Sequence, residues 1–288
     1  MNMPHQDSEM FRNALTLTQE RTGFGVKLIE KDYFCTLLLE HLAAVCPDLV
    51  FKGGTCLAKV HTDFYRLSED LDFVIPMATD APRSQRSKKA APLKESFAAL
   101  AQRLPCFRLL EPLAGANSST QYNAVIGYTA LASGDEDTIK VEIGLREPLL
   151  TATLNGAAQT ILLDSVTRTA LLKPVTVRCI SRIEAFAEKF RAALSRREVA
   201  ARDFFDLDYA VRKLGLQADN AELIELVKRK LAVPGNEQPD VSVKRLKALQ
   251  QQVGPELQPV LRARDFAEFD VERAFRLVSE MAEHMLTV

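Results

Sequence analysis

Residues 51–75, FKGGTCLAKVHTDFYRLSEDLDFVI, decide how the rest of the chain is read. The apolar run Leu49-Val50-Phe51 meets Gly53-Gly54, which predicts a strand entering a tight turn. Thr55 to His61 reads as a short helix, and Leu71 to Ile75 as a second strand stopped by Pro76. Consecutive glycines after a strand let the backbone approach a ligand closely and present amides to an anion, and the following helix turns its positive end the same way. Asp70 and Asp72 lie one residue apart on a strand, so both carboxylates project from one face while Leu71 and Phe73 enter the other. Side-by-side carboxylates repel unless a cation lies between them, and a hard divalent ion with oxygen ligands suits them.

A third carboxylate should come from a neighbouring strand. In Ile139-Lys140-Val141-Glu142-Ile143 the alternate apolar residues face the core, which turns Lys140 and Glu142 the opposite way. Asp70, Asp72 and Glu142 together form the predicted metal set, for Mg²⁺ or Mn²⁺. Upstream, Asp7 or Ser8 caps a first helix, and a second runs from Val26 to Val45, ended by Pro47. Downstream, Arg83 to Lys89 is basic and reads as loop, followed by a helix to about Arg103. Strands are predicted at Tyr122–Leu131, Thr138–Leu145, Thr160–Leu163 and Val175–Cys179, with a hairpin turn at Gly134-Asp135-Glu136-Asp137. Beyond Ser181 the pattern is helical: Ile183, Phe186, Ala187, Phe190 and Leu194 recur at helical spacing, as do Phe204, Leu207, Val211 and Leu214, with a breaker at Pro234-Gly235-Asn236. The expected fold class is α+β, with a mixed-sheet domain over 1–180 and a helical domain over 181–288.

The ordered combination of strand, Gly-Gly-Thr, short helix, Asp-x-Asp strand and later strand carboxylate resembles the DNA polymerase β-like nucleotidyltransferase superfamily. The fuller string, KGGT followed by RLSEDLDF, resembles the AbiEii/AbiGii toxin family, whose members include the MenT toxins. KVEI at 140–143, EAFAEKFRAAL at 184–194 and RDFFDL at 202–207 resemble that family's later motifs, so the likeness spans most of the chain. It implies a nucleotidyltransferase acting as the toxin of a bacterial toxin–antitoxin or phage-defence pair, with an NTP substrate, Mg²⁺, a tRNA or other RNA acceptor and a cognate antitoxin. Residue by residue, it implies nucleotide contact by Gly53, Gly54 and Thr55, metal binding by Asp70 and Asp72, triphosphate binding by Lys189 and a final aspartate motif at Asp206 with Asp203. Thr55 stands where many superfamily members carry Ser, a change that keeps the hydroxyl. The gap from Thr55 to Asp70 is longer than usual and admits Arg66 and Ser68; Arg66 either braces the site or meets phosphate. Ser68 is expected to orient the strand end. For Asp203 an interhelical ion pair and a role in the site are both open.

Composition bounds these readings. The 288 residues carry 37 Lys+Arg against 38 Asp+Glu, a net charge of −1, which excludes a uniformly basic nucleic-acid coat protein but not local basic faces. Residues 81–108 and 173–213 hold such local excesses of Lys and Arg, where an RNA would dock. A small-molecule nucleotidyltransferase of the aminoglycoside-modifying type and a non-catalytic nucleotide-binding module are the competing functions. The basic segments and RDFFDL disfavour the first, and the retained carboxylates the second. Cys35, Cys46, Cys56, Cys106 and Cys179 show no zinc spacing and read as reduced thiols, while His5, His41, His61 and His284 form no ligand pattern. No signal peptide or membrane span is legible, so a cytoplasmic location is expected.

Overall fold

The structure is a computed structural model that describes residues 3–287. It contains two compact units, Met1–Ile180 and Ser181–Val288.

The first unit is built on a seven-stranded mixed sheet. Its strands are β1 (Val50–Lys52), β2 (Leu71–Val74), β3 (Phe107–Ala116), β4 (Gln121–Thr129), β5 (Glu136–Gly144), β6 (Leu154–Ala158) and β7 (Val175–Cys179). Their order across the sheet is β3-β4-β5-β2-β1-β7-β6. The short central strands β1 and β2 run antiparallel to one another; β2 is parallel to β5, and β1 is parallel to β7. The helices α1 (Ser8–Thr22) and α2 (Val26–Val45) precede the sheet. The Asp7 side chain caps α1 by accepting from the Met10 amide, and Gly23 ends it at a φ of 78°. Helix α2 is buried on nearly every side, and its Phe34 ring lies 4.3 Å from that of Tyr128 on β4.

Such a helix must satisfy its polar residues internally. Glu30 accepts from the Leu131 and Ala132 amides in the β4–β5 turn, and burial raises its carboxyl above the usual range. Lys31 pairs with Glu69 and Asp137. Asp32 receives the Lys59 ammonium at 2.5 Å on one oxygen. Its other oxygen accepts from the Thr160 hydroxyl and the Ile161 amide, each at 3.0 Å. Lys59 also donates to the Thr36 hydroxyl at 2.7 Å and the Gln159 carbonyl at 3.2 Å.

Three local expectations change. The basic segment is helical, because α4 (Arg83–Ala98) starts at Arg83 rather than after Lys89. Ala90, Leu93 and Phe97 are buried along it, and buried Arg86 donates to the Leu145 and Thr79 carbonyls, so the charges occupy faces of a real helix. Thr160–Leu163 is not a strand, since Thr160 and Ile161 are spent on Asp32 and only Leu163 forms a bridge, with Ala170. The strand lies earlier, at β6, whose weak β-formers Leu154-Asn155-Gly156-Ala157-Ala158 are held by antiparallel pairing to β7. The hairpin turn also ends sooner: Glu136 and Asp137 already pair with Thr129 and Tyr128, and Gly134, at a φ of 81°, makes the reversal.

The second unit comprises α6 (Arg182–Ser195), α7 (Ala201–Lys213), α8 (Ala221–Leu231), α9 (Val243–Gln252), α10 (Ala263–Ala267) and α11 (Val271–Thr287); α5 is a single turn at Leu100–Arg103 in the first unit. Ser181, Asn220 and Ser242 cap α6, α8 and α9. The predicted breaker closes α8: Asn236 donates to the Lys230, Leu231 and Val233 carbonyls. Buried Lys230 bridges Glu184 at 2.8 Å and Glu188 at 2.9 Å, tying α8 to α6. Among the described residues no helix is long and apolar enough to cross a membrane.

Removing one partner of a buried, hydrogen-bonded ion pair strands the other charge. Lys59→Met should therefore lower unfolding stability by about 3–5 kcal/mol, and a Lys59→Met/Asp32→Asn double variant should recover part of that loss. Urea denaturation midpoints of the two variants and the parent measure both effects.

Candidate active site

Strand β1 ends in Lys52, and the chain turns directly into α3 (Gly53–Cys56), which continues as a π turn over Leu57–His61. Gly53 takes a φ of +77°, a region costly for any residue with a Cβ. A Cβ there would stand 2.1 Å from Asp72 Oδ2, so the carboxylate lies directly against the glycine backbone. A Cβ on Gly54 would stand 2.5 Å from Arg66 Nη2. Both glycines are thus required by close approach: the first accommodates a carboxylate and the second a guanidinium.

Arg66 is 1% exposed and donates to the Leu67 carbonyl, so it lies beneath the loop as a brace. Thr55, equally buried, donates its hydroxyl to the Asp70 carbonyl. That bond ties the glycine turn to the residue that leads into β2. The hydroxyl expected to meet nucleotide has a positioning task here.

The strand register assembles the carboxylates. Asp72 stands opposite Glu142 in the parallel β2–β5 pair and opposite Lys52 in the antiparallel β1–β2 pair. Glu142 in turn faces Asn123 on β4. Side chains of directly paired residues share a face, so Lys52, Asp72, Glu142 and Asn123 form one polar row across four strands. The neighbours Phe51, Leu71, Phe73, Val141 and Ile143 are buried in the core. Asp70, two residues before Asp72, is half-buried just ahead of β2. Lys52 is a residue that the motif reading missed; strand alternation around Phe51 was the signal for it.

Lys189, Asp203 and Asp206 come together within the second unit. Lys189 Nζ lies 2.7 Å from Asp203 Oδ1 and 2.8 Å from Asp206 Oδ2, and Arg196 lies 3.3 Å from the other Asp203 oxygen. Asp206 is fully buried and Asp203 nearly so. Asp203 is accordingly in an interhelical ion pair, and Lys189 is held on α6 by two carboxylates from the first turns of α7. Asp208, also buried, is bound by Arg212 and Arg273, a pairing that motif reading did not find.

This arrangement has a family. The model of the nucleotidyl transferase AbiEii toxin, type IV toxin–antitoxin system, matches residues 37–277. The chain belongs to the AbiEii family. A comparison with curated proteins finds no match. Among solved structures, MenT4, a nucleotidyltransferase toxin from Mycobacterium tuberculosis H37Rv, superposes with a TM-score of 0.56 at 19% identity, covering 94% of this chain and 92% of that one. JHP933 from Helicobacter pylori superposes with a TM-score of 0.52 at 16% identity, covering 92% and 94% respectively. At such identities these likenesses establish the fold, while the family match establishes a nucleotidyltransferase toxin.

For an AbiEii nucleotidyltransferase, the pairing of Asp72 with Glu142 beside a glycine turn supplies hard oxygen donors on one face next to a backbone approach surface. The donor set fits a divalent cation of the Mg²⁺ class, and a Cβ at Gly53 would intrude on it. Gly53→Ala should cost about 1–2 kcal/mol of stability from backbone conformation. By displacing the Asp72 carboxylate it should also cost about 100-fold in nucleotidyl transfer. Thermal unfolding and a transfer assay on the same preparation separate the two losses.

Proposed function

We propose that this AbiEii toxin transfers a nucleoside monophosphate from an NTP to the 3′ hydroxyl of an RNA, tRNA in the first instance, and thereby arrests growth. The reading is carried by the β2–β5 register that sets Asp72 beside Glu142 at the glycine turn. In the reaction the acceptor oxygen forms a bond to the α-phosphorus, the bond from that phosphorus to the bridging oxygen breaks, pyrophosphate leaves and the hydroxyl gives up its proton.

Asp70, Asp72 and Glu142 would hold Mg²⁺, or Mn²⁺ in its place. Bound there, the cation supplies charge neutralisation on the phosphates and acidifies the acceptor hydroxyl. The chain's own residues do the positioning. Gly53 and Gly54 let phosphate approach the backbone, Thr55 and Arg66 keep the turn in place, and Lys52 adds a cation beside Asp72. Lys189 is assigned to the triphosphate by its motif, and Asp206 to holding Lys189. Acceptor binding is supported by exposed Arg83, Lys88, Lys94 and Arg103 on α4 and α5. Other cations of that segment are spent within the fold: Lys89 on Asp48, Arg108 on Glu136 and Arg86 on carbonyls. The cytoplasm, where NTPs and RNA meet, is the proposed location, with a cognate antitoxin as regulator.

Purified protein with Mg²⁺, total RNA and each labelled NTP in turn should label RNA. Asp72→Asn should abolish labelling, since loss of metal-ion stabilisation worth several kcal/mol is about a thousandfold in rate, while leaving the thermal midpoint near that of the parent. Labelling by the variant at the parent's rate would remove Asp72 from the site. Label that appears only with aminoglycosides would replace RNA by a small-molecule acceptor.

A further inference from the structure

Cys56, His61 and Cys179 are scattered in sequence, and nothing in their spacing suggests a ligand set. Folding brings one ligand atom of each within 4.8 Å of the others. Cys56 closes α3, His61 closes the π turn that follows, and Cys179 sits on β7 directly paired with Phe51 of β1. Both sulfurs are fully buried, whereas His61 is partly exposed. The Cys179 sulfur donates to the Leu154 carbonyl at 3.6 Å, which fixes its side chain on the edge of the triangle. His61 Nε2 also donates to the Ile180 carbonyl at 3.0 Å, the kind of outer contact that orients a ligating imidazole. Gly156 lets β6 pack close to this corner: a Cβ there would stand 2.3 Å from Val60 Cγ1 and 3.0 Å from Cys179 Sγ.

We infer that Cys56, Cys179 and His61 form a zinc site, separate in chemistry from the carboxylate row. Two thiolates and an imidazole are soft and borderline donors that select zinc and do not suit Mg²⁺. Tetrahedral zinc, with bonds of about 2.3 Å to sulfur and about 2.0–2.1 Å to nitrogen, places its ligands roughly 3.5–3.8 Å apart. The triangle, with no side longer than 4.8 Å, exceeds those separations by at most about 1.0–1.3 Å, a gap that side-chain adjustment closes. On binding, two Zn–S bonds and one Zn–N bond form, the two thiol protons pass to solvent, and water takes the fourth position through the partly exposed side at His61. The ion ties the end of the glycine-turn helix to β7, bracing from behind the turn against which Asp72 lies. Among the described residues Cys35, Cys46 and Cys106 belong to no such cluster of ligand atoms.

The test titrates the reduced, full-length protein with Co²⁺ and then Zn²⁺. One equivalent of Co²⁺ should give an intense thiolate-to-cobalt charge-transfer band with tetrahedral ligand-field bands, both abolished by an equivalent of Zn²⁺. Cobalt held by the carboxylates gives no thiolate band, so the two sites are read separately. The band should vanish in Cys179→Ser and persist in Cys106→Ser. His61→Gln, at a partly exposed position that leaves both thiols in place, should weaken Co²⁺ binding beyond the 10–100-fold typical of losing an outer-shell partner. Zn²⁺ should raise the thermal midpoint of the parent and leave that of His61→Gln unchanged. Absence of the band in the parent, its survival at full strength in His61→Gln, or recovery of a Cys56–Cys179 disulfide as the resting state of protein purified without reductant would overturn the assignment.

Discussion

Parallel pairing of β2 with β5 is the constraint on which the functional architecture depends. Parallel neighbours cannot be joined by a tight turn, so a long connection must separate them, and here α4, α5, β3 and β4 fill the interval. The return on β5 brings Glu142 opposite Asp72, and the antiparallel return of β2 on β1 brings Asp72 opposite Lys52. A register slip of one residue would move each of these side chains to the core face and expose Phe73 and Ile143 instead. The hydrophobic cost of that slip protects the polar row: the apolar alternation that builds the core also aligns the charges.

The same turn is held in place by buried polar groups. Lys59, on the π turn after the glycines, is locked into α2 through Asp32 and Thr36 and into the segment after β6 through Gln159. Arg66 fills the space that a side chain on Gly54 would need, and Thr55 bonds the backbone of Asp70. Each of these polar groups is buried, a costly placement that persists because every one has a partner. Their effect is to make the glycine turn, an intrinsically mobile element, part of the rigid scaffold. In the second unit Lys189 is treated likewise, with two carboxylates fixing an ammonium that would otherwise sample many rotamers.

Much of this was readable from residue order. The boundaries of α2, the glycine turn and the outward parity of Asp72 and Glu142 follow from local rules, and the structure agrees with them; of the two candidate caps, Asp7 and Ser8, it selects Asp7. Where the reading failed, a tertiary partner overrode local pattern. The Arg83–Lys89 segment looks like a loop because its charges dominate its composition, yet buried Arg86 and the apolar spine of α4 make it helical. Thr160–Leu163 has strand-like residues, but Asp32 takes its hydrogen bonds. β6 has poor strand formers, but β7 offers it an edge.

By itself the sequence determined the identity and order of the chemical groups: glycines where only glycine fits, carboxylates with one parity, and a later lysine and aspartates at helical spacing. Those properties are local, set by backbone conformation and by alternation along one strand. Only the tertiary structure decided which groups meet. It paired Lys52 and Glu142 with Asp72 and placed Arg66 beneath Gly54. It also gathered Cys56, His61 and Cys179 into one triangle. Such contacts join residues far apart along the chain, and they are set by strand register and core packing, which no short window of sequence contains.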